Sequence, residues 1–107
     1  MARKIFLFLC RRPPEGHRTL EAALTAAAFH HEVHLVFTGD GVFHLMGEAA
    51  SRLERALAEV DIEHLAVDGE ALARRGLRPS ALARPLAVLG KAELAALMAA
   101  AHLVVPQ

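Results

Sequence analysis

The sequence predicts a three-layer α/β/α sandwich built on a mainly parallel, five-stranded sheet. Residues 5–10 are six consecutive apolar residues with no polar alternation, which indicates a strand buried on both faces, as in parallel sheets. Strand-like and helix-like segments then alternate to the end of the chain, the order typical of right-handed crossovers between parallel strands. No repeat or linker interrupts the 107 residues, so we expect one flavodoxin-like domain over residues 1–107.

After this first strand, the first half of the chain predicts two helices, one strand and a helical turn. Residues 19–29 place leucine and alanine at helical spacing, and alanine is the strongest helix former. Residues 33–37 are mostly apolar and predict the second strand, and residues 42–46 predict a short helical turn. Ser51 and Glu54 have the spacing of a capping box, so we expect the next helix to begin there.

The second half of the chain predicts the remaining three strands and two helices. The strands are expected over residues 62–67, 86–89 and 103–105. A short helix ends at Arg75, because Gly76 suits the left-handed position that follows a helix. The last helix covers residues 91–101 and is apolar on nearly every side.

The composition is strongly apolar for a chain of this size. Apolar residues make up 54% and charged residues 22%, while a small domain has a large surface relative to its volume. We therefore expect a partner chain to cover part of the surface. The 12 basic and 12 acidic side chains leave no net charge, so neither direct nucleic-acid binding nor binding to an anionic membrane is expected.

The single cysteine and the lack of long apolar segments predict a cytoplasmic protein. One thiol cannot form an intrachain disulfide, which fits a reducing compartment. The opening apolar run is about six residues long, shorter than the apolar core of a secretory signal. No stretch approaches the roughly 20 apolar residues of a membrane span.

Charged residues, glycine and the one thiol gather where four predicted strands end. These segments are Cys10-Arg11, Gly39-Asp40-Gly41, Asp68-Gly69-Glu70 and Gly90-Lys91. In a parallel sheet such ends share one edge, where α/β proteins form ligand crevices. The residues expected to line this crevice are Arg11, Arg12, His17, Asp40, Gly41, Gly69 and Glu70. Asp40, Asp68 and Glu70 would form an acid–base set if their loops converge, although turn and cap roles are commoner for such residues.

Cys10 is the candidate catalytic residue. A thiol beside Arg11, Arg12 and His17, near the start of a helix, has surroundings that lower a thiol pKa and favour a nucleophile or a persulfide carrier. A cysteine at the end of a strand is more often a small buried hydrophobic residue. Exposure decides between these two interpretations, so the sequence leaves both open.

The sequence predicts neither a metal centre nor a cofactor. The chain has seven histidines, but His30, His31 and His34 repeat no compact zinc spacing, and histidine is often only partly buried at surfaces. Neither a G-x-x-x-x-G-K-[ST] phosphate loop nor a G-x-G-x-x-G fingerprint is present, which argues against nucleotide binding.

Three short segments carry the motifs of a known family. They are Asp40-Gly41-Val42-Phe43-His44-Leu45, Asp61-Ile62-Glu63 and Ala71-Leu72-Ala73-Arg74-Arg75-Gly76-Leu77. The first resembles the DGV(F)xL motif of the DsrE/DsrF/DsrH sulfur-relay family, which includes the TusB, TusC and TusD subunits. The other two resemble that family's third strand and its LxxRGL helix. The order of elements agrees over most of the chain, and the resemblance is closest to the DsrF/TusC branch.

The resemblance implies a cytoplasmic α/β protein that assembles with itself or with sister DsrE- and DsrH-like subunits. Such proteins pass persulfide sulfur towards tRNA 2-thiolation or act in sulfur oxidation. In the sulfur-carrying members, the acceptor cysteine lies just after the third strand, at the start of the LxxRGL helix, and the matching residue here is Asp68. A carboxylate cannot hold a persulfide, so the resemblance does not make this chain an acceptor, and it assigns no role to Cys10.

Three functions remain open on the sequence alone. We expect a non-catalytic or scaffolding subunit of a sulfur-relay assembly, because Asp68 stands in the acceptor position and the helices are apolar. The alternative from a different class is a small sulfurtransferase that carries persulfide on Cys10. A small-molecule binding module that uses the strand-end crevice without chemistry is the third.

Overall fold

Five parallel strands form one sheet in the computed structural model, which describes residues 4–14, 18–60, 62 and 64–106. In chain order the strands are β1 (Ile5–Cys10), β2 (Glu32–Phe37), β3 (His64–Asp68), β4 (Ala87–Leu89) and β5 (Leu103–Pro106). Their order across the sheet is β4-β3-β2-β1-β5, and every neighbouring pair is parallel. The predicted parallel sheet is therefore confirmed.

Helices cover the two faces of the sheet unequally. They are α1 (Arg18–Ala28), α2 (Gly47–Leu57), α3 (Gly69–Arg74) and α4 (Lys91–Ala100), with 3-10 helices at Gly39–Leu45 and Pro79–Ala81. The first three pack on one face and α4 packs on the other, which confirms the three-layer α/β/α architecture. Within the described residues, no helix has the length and apolar character needed to cross a membrane.

The strand order explains this unequal cover. From β1 to β4 the chain moves across the sheet in one direction, so its right-handed crossovers place three helices on the same face. The connection from β4 to β5 returns in the opposite direction, which places α4 on the other face. The sequence left the strand order open. In the flavodoxin order β1 lies between β2 and β3, whereas here β1 lies between β2 and β5.

The core has one part on each face of the sheet. The larger part joins β1, β2 and β3 to α1, α2 and α3, and Phe37 and Leu35 are fully buried within it. The smaller part consists of Leu7, Leu9, Val36 and Ala66, with leucines of α4 packed against it. Alternate residues of β1 thus enter opposite cores, which is why this strand is apolar at every position.

Two predicted element boundaries are wrong. Helix α2 begins at Gly47 instead of at Ser51, which lies inside the helix and is exposed. A capping box is a short local pattern, and it does not show where the preceding element ends. Here the 3-10 helix ends at Leu45, so the backbone enters α2 four residues before Ser51. Strand β3 begins at His64 instead of at Ile62, because pairing with β2 starts at the His34–His64 pair. The helical turn predicted over residues 42–46 is confirmed by the 3-10 helix, and Gly76 has the expected positive φ of 65°.

Gly41 fixes the approach of the 3-10 helix to the end of β1. A Cβ atom at this position would lie 1.8 Å from the carbonyl oxygen of Cys10 and 2.7 Å from its carbonyl carbon. Both obstructing atoms belong to the backbone of a buried strand, so they cannot move aside as a flexible side chain would. The DGV segment therefore requires glycine at this position on steric grounds.

We predict that Gly41→Ala lowers the free energy of unfolding by about 3 kcal/mol, the upper end of the usual cost of overpacking a core. Gly90→Ala is the matched control, because its added Cβ would meet only the Glu93 carboxylate at 3.5 Å. The control change should cost no more than about 1 kcal/mol, the usual range for a helix-capping position. Urea denaturation of both variants measures the difference, and equal costs would contradict the steric explanation.

Candidate functional site

A crevice opens where β2 and β3 end, at the edge of the sheet that the sequence predicted. It has a volume of about 220 Å³. Its lining residues are Thr38, Gly39, Asp68, Glu70, Ala71, Arg74 and Arg75. Two of the predicted residues, Asp68 and Glu70, are among them.

Asp68 connects the two strands and also caps α3. Its Oδ2 accepts a hydrogen bond of 2.8 Å from the Thr38 hydroxyl, which follows β2. Its Oδ1 accepts a hydrogen bond of 3.1 Å from the backbone N–H of Glu70, in the first turn of α3. Both carboxylate oxygens are therefore used by the fold, and the negative charge lies at the favourable end of the helix.

Two ion pairs form the outer rim of the crevice. Glu70 accepts a hydrogen bond of 2.6 Å from Arg74, and Asp40 accepts one of 2.8 Å from Arg75. Arg75 also donates to the backbone carbonyl of Ala71 at 3.0 Å, so its guanidinium ties the 3-10 helix to α3. Glu70, Arg74 and Asp40 are each more than half exposed, while Arg75 is 26% exposed, and ion pairs with exposed partners contribute little to stability.

The thiol of Cys10 lies in the core and not in the crevice lining. Cys10 is 1% exposed, and its Sγ lies 4.0 Å from the backbone carbonyl oxygen of Arg12. Desolvation of the buried thiol raises the pKa of Cys10 from 9.0 to about 11, against a smaller opposing effect of a hydrogen bond with the Arg12 backbone. At neutral pH the group is a protonated thiol, whereas the thiolate is the reactive form.

Several of the other residues predicted for the crevice do not line it. The side chains of Arg11 and Arg12 are exposed beyond β1, and the residues that line the crevice include neither of them. Gly69 packs at the end of β4, where an added Cβ would lie 3.1 Å from Val88. His17 lies outside the residues that the structure describes.

Sequence reasoning missed Thr38, Arg74 and His44. Thr38 was detectable because it directly follows the second strand, and Arg74 because it lies four residues after Glu70. His44 is buried, and its Nε2 lies 3.1 Å from the carbonyl oxygen of Arg12. This contact spans 32 positions of the chain, so no local pattern reveals it.

The lining of the crevice is polar and charged. Its lining within the described part of the chain offers carboxylates, guanidinium groups and a hydroxyl, but no thiol. Asp68 is engaged as a helix cap and Glu70 in an ion pair. This arrangement supports recognition of a polar group or of a partner surface.

We predict that Asp68→Ala lowers the free energy of unfolding by about 1–2 kcal/mol, because α3 loses its cap and Thr38 loses its acceptor. Asp68→Asn should cost less, since the amide oxygen can still accept from the Glu70 N–H. Asp40→Ala is the matched control, which removes only an exposed ion pair and should cost less than about 1 kcal/mol. Chemical denaturation measures all three variants, and a larger effect at Asp40 would contradict the proposed structural role of Asp68.

We predict slow modification of Cys10 by a thiol reagent in the native protein at neutral pH. A pKa near 11 instead of 9.0 leaves a thiolate fraction roughly 100-fold lower than that of an ordinary thiol, and burial restricts access further. Modification kinetics with and without denaturant measure the effect. Labelling as fast as that of free cysteine would show that the sulfur is exposed and ionised.

The same group makes stability depend on pH in the alkaline range. The folded protein holds the Cys10 proton more tightly than the unfolded chain does. The stability that the protonated Cys10 thiol contributes is therefore complete below pH 9 and is lost as pH rises through about 11. Cys10→Ala should lack this component of the pH dependence.

Comparisons with known proteins agree on one family. The family model described as "DsrE/DsrF-like family" matches residues 4–106. The chain is similar to "Protein TusC homolog" of Vibrio vulnificus (strain CMCP6), with 32% identity over 100 residues that cover 81% of this chain and 85% of the relative. The crystal structure of the ychN protein from E. coli superposes with a TM-score of 0.78 at 16% identity, covering 99% of this chain and 100% of that one. This chain belongs to the DsrE/DsrF-like family.

Proposed function

We propose that this chain is a sulfur-relay subunit that carries no sulfur itself and acts by binding sister subunits. Membership of the DsrE/DsrF-like family and similarity to a TusC homolog support a role in sulfur relay. The proposal of a scaffolding role depends on which residue of this chain occupies the position of the family's sulfur-acceptor cysteine.

The observation that carries the proposal is the state of Asp68. By the family resemblance this residue occupies the acceptor position, and its two oxygens are hydrogen-bonded to Thr38 and to the backbone of Glu70. Sulfur transfer requires a thiolate that attacks the outer sulfur of a donor persulfide. One S–S bond forms, another breaks, and the donor leaves as a thiolate. A carboxylate cannot form that bond, so Asp68 keeps the fold of the site without its chemistry.

The sulfurtransferase alternative would require Cys10 to perform this attack. The thiol is 1% exposed and its pKa is raised to about 11 by burial. A donor protein would have to reach a sulfur that is buried in the hydrophobic core. These observations favour a packing role for Cys10.

Exposed apolar surface supports association with other subunits. None of the α4 residues is buried, although most of them are alanine, leucine or methionine. Phe43, Met98 and Leu103 are each at least 40% exposed, and Phe43 lies in the 3-10 helix beside the crevice. We propose a homo-oligomer or a hetero-oligomer with DsrE- and DsrH-like subunits, one of which provides the acceptor cysteine.

The test is to isolate the chain with its partners from the native host and to expose the assembly to a persulfide donor. Intact-mass analysis of each subunit then locates the sulfur. We expect this chain to co-purify with a cysteine-bearing sister subunit and to keep its mass, while the sister subunit gains one sulfur atom. The Asp68→Cys variant is the positive control, because it places a thiol at the acceptor position and should gain sulfur.

Two results would contradict the proposal. A mass gain on the native chain that disappears in Cys10→Ser would identify Cys10 as a carrier and support the sulfurtransferase alternative. A chain that is monomeric by light scattering and isolates alone from its host would exclude a scaffolding role. The small-molecule alternative would then gain support from a ligand that binds the native chain and not the Arg75→Ala variant.

A further inference from the structure

Three side chains with metal-binding atoms meet on the sheet face that α4 only partly covers. Glu32 and His34 are two residues apart on β2, so they project from the same face. His64 on β3 is the direct register partner of His34. One ligand atom from each of the three residues lies within 4.8 Å of the others. The strand pairing itself therefore creates the cluster.

The two imidazole rings and the carboxylate are already arranged closely. The rings of His34 and His64 are stacked, with centroids 4.1 Å apart and an angle of 4° between their planes. Nε2 of His34 lies 2.8 Å from Oε2 of Glu32. A tetrahedral zinc ion with bonds of about 2.1 Å needs ligand atoms roughly 3.4 Å apart. Zinc binding requires the two rings to leave their stacked arrangement and tilt towards each other, so that the in-plane lone pair of each ligand nitrogen points at the ion.

We propose that Glu32, His34 and His64 form a zinc-binding site. Two imidazole nitrogens and one carboxylate oxygen are a ligand set that zinc uses when it keeps a further coordination position open. Zinc takes neutral imidazole and ionised carboxylate as ligands. The magnesium ion does not compete, because it prefers oxygen ligands and octahedral geometry.

The surroundings of the three ligands leave space for a fourth ligand of the zinc ion. A cavity of about 300 Å³ lies beside the cluster, between the sheet and α4, and both His34 and His64 line it. Its remaining lining is mainly apolar, with Val36, Ala66 and Leu97 among its residues. Glu93 of α4 is the one acidic residue of that lining, and it accepts a hydrogen bond from the Gly90 N–H. The side chains of His34 and Glu32 are 17% and 32% exposed, so an ion can enter from solvent.

The sequence does not show this site because its ligands come from two strands. His34 was grouped with His30 and His31, its neighbours in the sequence. In the structure His31 stacks on Phe6 with ring centroids 4.3 Å apart, and His30 follows α1 with a positive φ of 65°. His64, which lies 30 residues after His34, is its actual neighbour.

The test is a titration of the purified native chain with Zn²⁺, monitored by calorimetry and by thermal unfolding. We expect saturable binding of one ion per chain and a rise in melting temperature that a chelator reverses. His34→Gln and His64→Gln should each weaken zinc binding by more than about 10-fold, because changes to the groups that merely support metal ligands commonly cost that much. Mg²⁺ at the same concentration should give neither heat nor stabilisation.

His30→Asn is the matched control, because it removes a histidine outside the cluster and asparagine tolerates its left-handed backbone conformation. This variant should bind zinc as the native chain does. NMR spectra of the histidine ring nitrogens in the native chain provide a measurement that does not depend on variant folding. On zinc addition, the His34 and His64 signals should shift and the His102 signal should not.

Three results of the zinc titrations would overturn the proposal. They are the absence of saturable zinc binding, binding that is unchanged in both His34→Gln and His64→Gln, and an equal loss of binding in His30→Asn. Histidine ring signals that stay unchanged in the native chain would overturn it as well. In each case the stacked pair would be a cross-strand contact with no ligand.

Discussion

The common direction of β1, β2 and β3 is the constraint on which the rest of the structure depends. Their parallel registers pair Cys10 with Phe37 and Phe37 with Val67, so all three strands end at one edge. This brings Thr38 to Asp68 and places Gly41 against the Cys10 carbonyl. Were one of these strands reversed, neither the crevice nor the close approach of the 3-10 helix would exist.

The crevice at this edge is organised around the carboxylate of Asp68. A carboxylate at the start of α3 accepts two hydrogen bonds that a cysteine would satisfy poorly. Asp68 therefore maintains the helix start and the link between β2 and β3. The rim ion pairs add two acidic and two basic side chains to this edge.

The strand order also distributes the helices unequally. Among the described residues, three helices lie on one face of the sheet and one helix lies on the other. The single helix α4 leaves part of β2 and β3 without a covering element, and the cluster of Glu32, His34 and His64 lies in that gap. The outer side of α4 is apolar and exposed. A partner subunit that covered α4 would leave the carboxyl edge of the sheet available to a sulfur carrier, because the two surfaces are in different parts of the molecule.

Sequence alone determined the features that depend on local periodicity. The uninterrupted apolar run of β1 predicted burial on both faces, and Gly76 predicted the end of α3. The alternation of elements was sufficient for a parallel sheet, and two residues at the predicted strand ends, Asp68 and Glu70, line a crevice at that edge. These signals are readable because side-chain direction repeats with a fixed period within one strand or helix.

Only the tertiary structure decided which distant residues meet and which are buried. Strand order placed β1 between β2 and β5, and no local pattern encodes which strands become neighbours. The sequence left both reactivity and packing open for Cys10, with packing the commoner case, and its 1% exposure favours packing. His44 with Arg12, Thr38 with Asp68 and His34 with His64 are contacts between segments about 30 residues apart. Such contacts depend on the register of paired strands, which is set by the packing of the whole core.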